Sequence, residues 1–401
     1  MLALLELCSA RATAEGSPRP AARYHGGVRV LHLVAADRFT GAAAPALQLV
    51  QALQAAGCEA EFAIRGGHNL EQRLAGQPWV HPILAKERSL GDLRRAVARV
   101  RRLAEGFDMV HCHLPHDHAL ARLALPSLAP GAVLLRSVRH PRHLRRDPFQ
   151  RWLFAGTSGV ALATPALARR WQRWRDAARL PHVVLPPAVE ERFGRAADRV
   201  ATRRRLGIPA TAVVAGTVGK LHRQRGQDLF LHALAAAPGV WGVVVGQGEA
   251  REWLGRLAHQ LGVAPRVCFP GYVEDDLVHL YAAMDLFVFP AAGSDWGHRA
   301  IVEAMACGLP VLAAQLEGTE DLVQRGVTGD LYPAHDAAAL AVLLSAWAGD
   351  TARRVAAGRQ AAARARHWTP ARLAAAALQL YLSATPAGSG ANPHRPRVPA
   401  P

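Results

Sequence analysis

Short apolar runs separated by glycine-rich polar loops dominate the chain. Val28–Val34 (VRVLHLV), Glu59–Ile64, Met109–His113, Val133–Ser137, Gly159–Ala163 and His182–Val189 are each too short for a helix and nearly unbroken in hydrophobicity. Such runs read as strands buried on both faces. Helical stretches lie between them: Ala44–Ala56 carries Leu47, Val50 and Leu53 along one side and is closed by Gly57, and Pro165–Trp174 begins on a proline. The second half repeats the alternation, with strands at Thr211–Thr217, Trp241–Val245, Val267–Phe269, Leu286–Phe289 and Val311–Ala314. Its helices are Arg299–Cys307, Ala337–Trp347 and Ala352–Arg366. Strands alternating with helices predict parallel sheets and an α/β class. The run His182–Val189 passes into a Pro-Pro turn at Pro186–Pro187. No tandem repeat of solenoid period occurs.

The most informative stretch is Asp285–Thr319. A strand stopped by Pro290 leads through a loop of small residues into the helix from Arg299, which Gly308 and Pro310 end before the strand at Val311. The loop then lies at the carboxyl end of a parallel strand and the amino end of a helix. Unpaired N–H groups and the helix dipole suit phosphate there. Asp295 and Glu303 can accept hydrogen bonds from sugar and ribose hydroxyls. The plain alternative is a helix-capping Asp and a surface Glu.

Composition narrows the class. With 401 residues, half of them hydrophobic, the chain can bury two sizeable cores. No apolar run approaches the roughly 18 residues of a membrane span. The start lacks a basic region before its apolar residues, so Met1–Gly27 is expected to be a disordered extension rather than a secretory signal. Five scattered cysteines without a CxxC pair support neither a disulfide framework nor a zinc ribbon, and a reducing cytoplasm is expected. The net charge of +17 is nearly all arginine, since Lys86 and Lys220 are the only lysines. The accompanying wealth of alanine reads as much as a coding bias as a functional patch. A basic surface fits anionic lipid or nucleic acid; without a nucleic-acid motif, the membrane surface ranks first.

Several clusters carry further chemistry. His111, Cys112, His113, His116, Asp117 and His118 crowd one strand end, with His111 and His113 on one face, and a metal is one reading. Arg136, Arg139, Arg142, Arg145 and Arg146 surround His140 and can meet an anionic acceptor or form a solvated loop. Lys220 and Arg225 follow a strand end and can neutralise a diphosphate or stand as two solvated loop cations.

Asp295 through Glu303, continuing as AMACGLPV at Ala304–Val311, closely resembles the signature of the retaining GT-B glycosyltransferases of family four. The resemblance extends over about Val28–Ser383. It differs in having Asp295 where Glu is common and Trp296 where Gly is common, and in exchanging the residue types of the Lys220 and Arg225 pair. The Asp-Trp-Gly-His-Arg run is more similar to the lipopolysaccharide branch.

The resemblance implies two Rossmann-like doubly wound domains facing across a cleft, at 28–190 for the acceptor and 200–366 for the donor. A helix at 367–384 would return to the first domain, and 385–401 would be a disordered tail. It implies that Asp295 holds the transferred sugar and Glu303 the ribose, with His140 lining the sugar side. Gly219, Lys220, Arg225, Gly246, Tyr272, Val273, Gly297, His298 and Arg299 would surround the donor, and Gly41 and Arg139 would lie toward the acceptor. Family members carry the H-x-H without a metal, so no metal or other cofactor is expected. The partners implied are a nucleoside-diphosphate sugar and a glycan or lipid-linked acceptor of the cell envelope, handled in the cytoplasm or at the inner face of its membrane. The rivals are a non-catalytic homologue that binds nucleotide sugar or a partner, and an epimerase or sugar-phosphate synthase on the same fold.

Overall fold

A computed structural model describes residues 28–37, 42–125, 133–174, 179–194, 197–273, 276–291 and 299–385. Among the expected site residues, Gly41, Asp295, Gly297 and His298 lie outside these, as do 1–27 and 386–401.

The chain forms two compact units, Met1–Pro186 with Pro370–Pro401, and Pro187–Thr369. The first holds β1 (Arg29–Val34), β2 (Glu59–Arg65), β3 (Val80–Leu84), β4 (Met109–Cys112), β5 (Val133–Val138), β6 (Gly159–Leu162) and β7 (His182–Val184). They make one sheet of order β3-β2-β1-β4-β5-β6-β7, parallel throughout. The second holds β8 (Val213–Val218), β9 (Val240–Val245), β10 (Val267–Gly271), β11 (Leu286–Phe289), β12 (Val311–Gln315) and β13 (Gly329–Pro333). Its order is β10-β9-β8-β11-β12-β13, also parallel. Each order reverses once, between β1 and β4 and between β8 and β11. Ligands of such sheets bind beyond the strand ends at that reversal.

The unbroken apolar runs reflect cover on both faces. In β11, Phe287 and Phe289 enter one core cluster and Leu286 and Val288 the other. Where β11 begins, Asp285 accepts from the Val214 N–H at 2.8 Å, from buried Arg203 at 2.7 Å and from Arg199 at 2.5 Å. That pairing satisfies the Arg203 charge within the unit.

Boundaries follow packing. Val189 and Phe193 are buried in the core of the second unit, which starts at Pro187. At the other end the Trp368 carbonyl accepts from the Val189 N–H at 2.9 Å. The helix Pro370–Ala384 belongs to the first unit, where Tyr381 meets His111 Nδ1 at 2.8 Å. It lies on Gly159 of β6, where a Cβ would stand 3.0 Å from both Ala384 and Leu380.

Candidate functional site

In the second unit, the ends of β8, β9 and β10 are knitted together. The Gly219 N–H donates to Val245 at 3.0 Å, Leu221 to Gln247 at 3.0 Å, and Gly246 to Gly271 at 2.8 Å. Gly246 has φ +137°, and a Cβ there would sit 1.9 Å from the Gly219 carbonyl oxygen, so no other residue fits. Lys220 leaves this junction and pairs with Glu249 at 3.1 Å, and His222 reaches Glu249 at 3.2 Å. Glu249 is held below the usual carboxylate range by its own backbone N–H and then by Lys220. Arg225 ends the turn Arg223–Arg225, and Gly226, at φ +73°, opens the helix Gln227–Ala235. Partial burial draws the Arg225 pKa down. Gln227 donates to the Lys220 carbonyl at 3.0 Å, which ties the helix to the cation-bearing loop. Tyr272 lies just past β10 and is 57% exposed.

Across the reversal, Arg299 starts the helix Arg299–Ala306 after β11. Its Nε donates to Glu303 Oε1 at 2.5 Å, and its Nη2 to Glu190 Oε1 at 2.9 Å. The Tyr281 hydroxyl donates to Glu303 Oε2 at 3.0 Å. Glu303 is 4% exposed. Burial raises its carboxyl above the usual range, against the pull of Arg299 and Tyr281. Burial opposes the Arg299 charge, but Glu303 and Glu190 outweigh it and raise its pKa. The helix thus presents a carboxylate with two internal donors, and each oxygen has a second lone pair for a ligand hydroxyl.

The first unit gathers the remaining expected residues. His140 caps the turn Pro141–Leu144, its Nδ1 accepting from the Arg142 N–H at 3.0 Å. Burial and then Arg142 lower its pKa. Arg136 is 2% exposed, and its Nη1 and the Arg139 Nε are buried without a hydrogen-bond acceptor. Burial draws both guanidinium groups down to about 10. His143 beside them is pushed to about 3 by burial and Arg136.

The histidine cluster resolves into a core network. The β1–β4 register sets His32 opposite His111. One nitrogen from each of His32, His111 and His113 lies within 4.8 Å of the others. His32 Nδ1 meets His113 Nε2 at 3.0 Å, while their ring centroids are 5.3 Å apart. The difference is about two ring radii, so those nitrogens face each other head-on and share a proton. His111 bonds Tyr381 at 2.8 Å and Ser137 at 2.9 Å. These bonds tie the three rings into the core, and His32 Nε2 and His113 Nδ1 remain without a hydrogen-bond partner.

Residues 198–364 match the family described as Glycosyl transferases group 1. A D-inositol 3-phosphate glycosyltransferase of Xylanimonas cellulosilytica is 33% identical over 296 residues, 70% of this chain and 68% of that protein. The chain belongs to the group 1 glycosyl transferases. A Mycobacterium tuberculosis protein of the same description is 38% identical over 159 residues, 38% of this chain and 33% of the relative. Anabaena HepE, solved in complex with UDP, superposes with a TM-score of 0.77 at 22% identity over 89% of this chain and 100% of its own. The shared fold is GT-B. Sequence reasoning singled out Glu303 and Arg299 but not their partners Tyr281 and Glu190, neither of which stands in a motif.

Proposed function

We propose that this group 1 glycosyl transferase moves a sugar from a nucleoside diphosphate to a hydroxyl of a cell-envelope glycan or lipid-linked acceptor, with retention of configuration. The observation that carries the reading is the buried Glu303 carboxylate at the sheet reversal, opposite the glycine junction and Lys220. Glu303 receives the ribose and Asp295 the transferred sugar. Lys220 and Arg225 offset charge on the diphosphate as the bond from sugar to phosphate oxygen breaks. The acceptor oxygen bonds to the same carbon, and its proton passes to the departing phosphate. The base, sugar and diphosphate are read together by thermal stabilisation with a panel of nucleotide sugars. Stabilisation by one donor, lost in Glu303→Ala, supports the reading. Indifference to every donor favours a non-catalytic scaffold.

A second reading concerns the acceptor. The relatives are named for D-inositol 3-phosphate. The buried, unmatched nitrogens of Arg136 and Arg139 favour an acceptor that carries a phosphate. Transfer to a phosphorylated polyol but not to its dephosphorylated form would support it.

The place of action in this reading is the inner face of the cytoplasmic membrane. No helix among the described residues is long and apolar enough to span one. In the first unit Leu90, Leu123, Phe149 and Trp152 are exposed, at 75, 43, 51 and 38%. Arg94 and Arg101 line a groove with Leu93, Val97 and Leu123, and Arg122 lies 5.6 Å over Trp152. Aromatic rings among arginines suit the headgroup layer of an anionic bilayer.

A further inference from the structure

Glu303 does not stand alone in its pocket. Arg299 bridges it to Glu190, 109 positions earlier in the chain, and the far oxygen of Glu190 pairs with Arg192 at 2.9 Å. Both oxygens of Glu190 are therefore committed to cations. Its backbone is fixed from each side: Val189 bonds Trp368, and Phe193, 1% exposed, packs edge-on against Tyr281 at 5.9 Å. Tyr281 is the other donor to Glu303. One short segment, 189–193, thus braces both groups that orient the carboxylate. Arg299 gains from such a brace, because its side chain is 41% exposed and its Nη2 reaches beyond its own helix to Glu190. A surface arginine without a second anchor samples many rotamers and does not hold a buried carboxylate in one orientation.

We propose that Glu190 is a positioning residue: through Arg299 it sets the Glu303 carboxylate in the orientation that receives the donor ribose. The inference rests on Glu303 being the ribose acceptor. It assigns to Glu190 no contact with substrate, and the second oxygen pair, Glu190 with Arg192, keeps the brace in register.

The test uses the full chain and calorimetric binding of UDP, GDP and ADP, followed by the tightest of the three against its 2′-deoxy form. Wild type is expected to prefer the ribonucleotide by about tenfold, the worth of a hydrogen bond to a charged acceptor. Glu303→Ala abolishes that preference. Glu190→Gln reduces it to within about threefold while the melting temperature stays near wild type, because the side chain is half-exposed, and Glu190→Asp restores part of it. Arg299→Gln loses the preference similarly, and Glu190→Gln added to it costs nothing further. A merely structural role for Glu190 would weaken both nucleotides equally and leave the preference intact. Preference erased by Glu303→Ala but kept in Glu190→Gln overturns the inference and leaves the ribose site standing. Preference kept in Glu303→Ala, or no nucleotide bound by wild type, overturns the ribose site and the inference with it.

Discussion

The α-carbon of Gly246 faces the carbonyl of Gly219 so closely that a methyl group on it would stand 1.9 Å from the oxygen. The two glycines bring the ends of β8 and β9 together beside Lys220. Gly246→Ala must push the strand ends apart and also strains a backbone at φ +137°. It is expected to cost about 3 kcal/mol. Calorimetric melting should show a fall of roughly 6–12 °C, together with loss of nucleotide binding.

Glu303→Gln keeps the size of the side chain but removes the charge that Arg299 and Tyr281 serve. Nucleotide affinity should fall about tenfold to a hundredfold. Equilibrium titration with the preferred nucleoside diphosphate measures it, and an unchanged dissociation constant would remove Glu303 from the site.

The buried histidines make the first unit acid-sensitive. Burial holds His32 at about 3, against an ordinary 6.5, and His111 and His113 well below their ordinary value. Between those limits the unfolded chain takes up protons that the folded chain refuses. Stability is therefore complete above about pH 6.5 and declines as the pH falls toward 3. Each histidine contributes a slope of about 1.4 kcal/mol per pH unit. Melting temperatures across that range should fall on the acid side, and His32→Gln should flatten the decline.

Tyr381→Phe leaves His111 Nδ1 without its hydroxyl partner in a fully buried place. A loss of about 1–3 kcal/mol is expected in denaturant unfolding. No change would mean that the terminal helix is held by apolar packing alone.

Anionic vesicles test the basic aromatic face. Binding should exceed that to neutral phosphatidylcholine, weaken with salt, and drop about a hundredfold when Arg94, Arg101 and Arg102 are all changed to Glu. Phe149→Ala with Trp152→Ala should weaken it independently of salt. Equal binding to neutral and anionic vesicles would dismiss the membrane reading.

What could be read from sequence followed from local order. Leu286–Phe289 is a strand as its pattern predicts, and the alternation of His111 and His113 placed both on one face. His32, the third member, comes from a neighbouring strand through a pairing register that no local signal encodes. The strand Val80–Leu84 was hidden by Pro82, tolerable because β3 is an edge strand. The helix Leu90–Ala104 went unread because its many arginines obscure the buried stripe of Ala96, Val100 and Ala104. At the site, motif spacing picked out Glu303 and Arg299, whereas Tyr281 and Glu190 reach them only through tertiary packing. Long-range partners of a buried charge leave no periodic trace.

The first unit is discontinuous in sequence: the helix Pro370–Ala384 follows the whole of the second unit. On the ribosome, synthesis therefore delivers all of the second unit before the strand carrying His111 meets Tyr381. Until then the surface around Gly159 and His111 stands uncovered, a span of nearly two hundred residues of translation. A premature stop near residue 369 would spare the second unit and damage the first, so the early strands depend for completion on a helix made after the second unit.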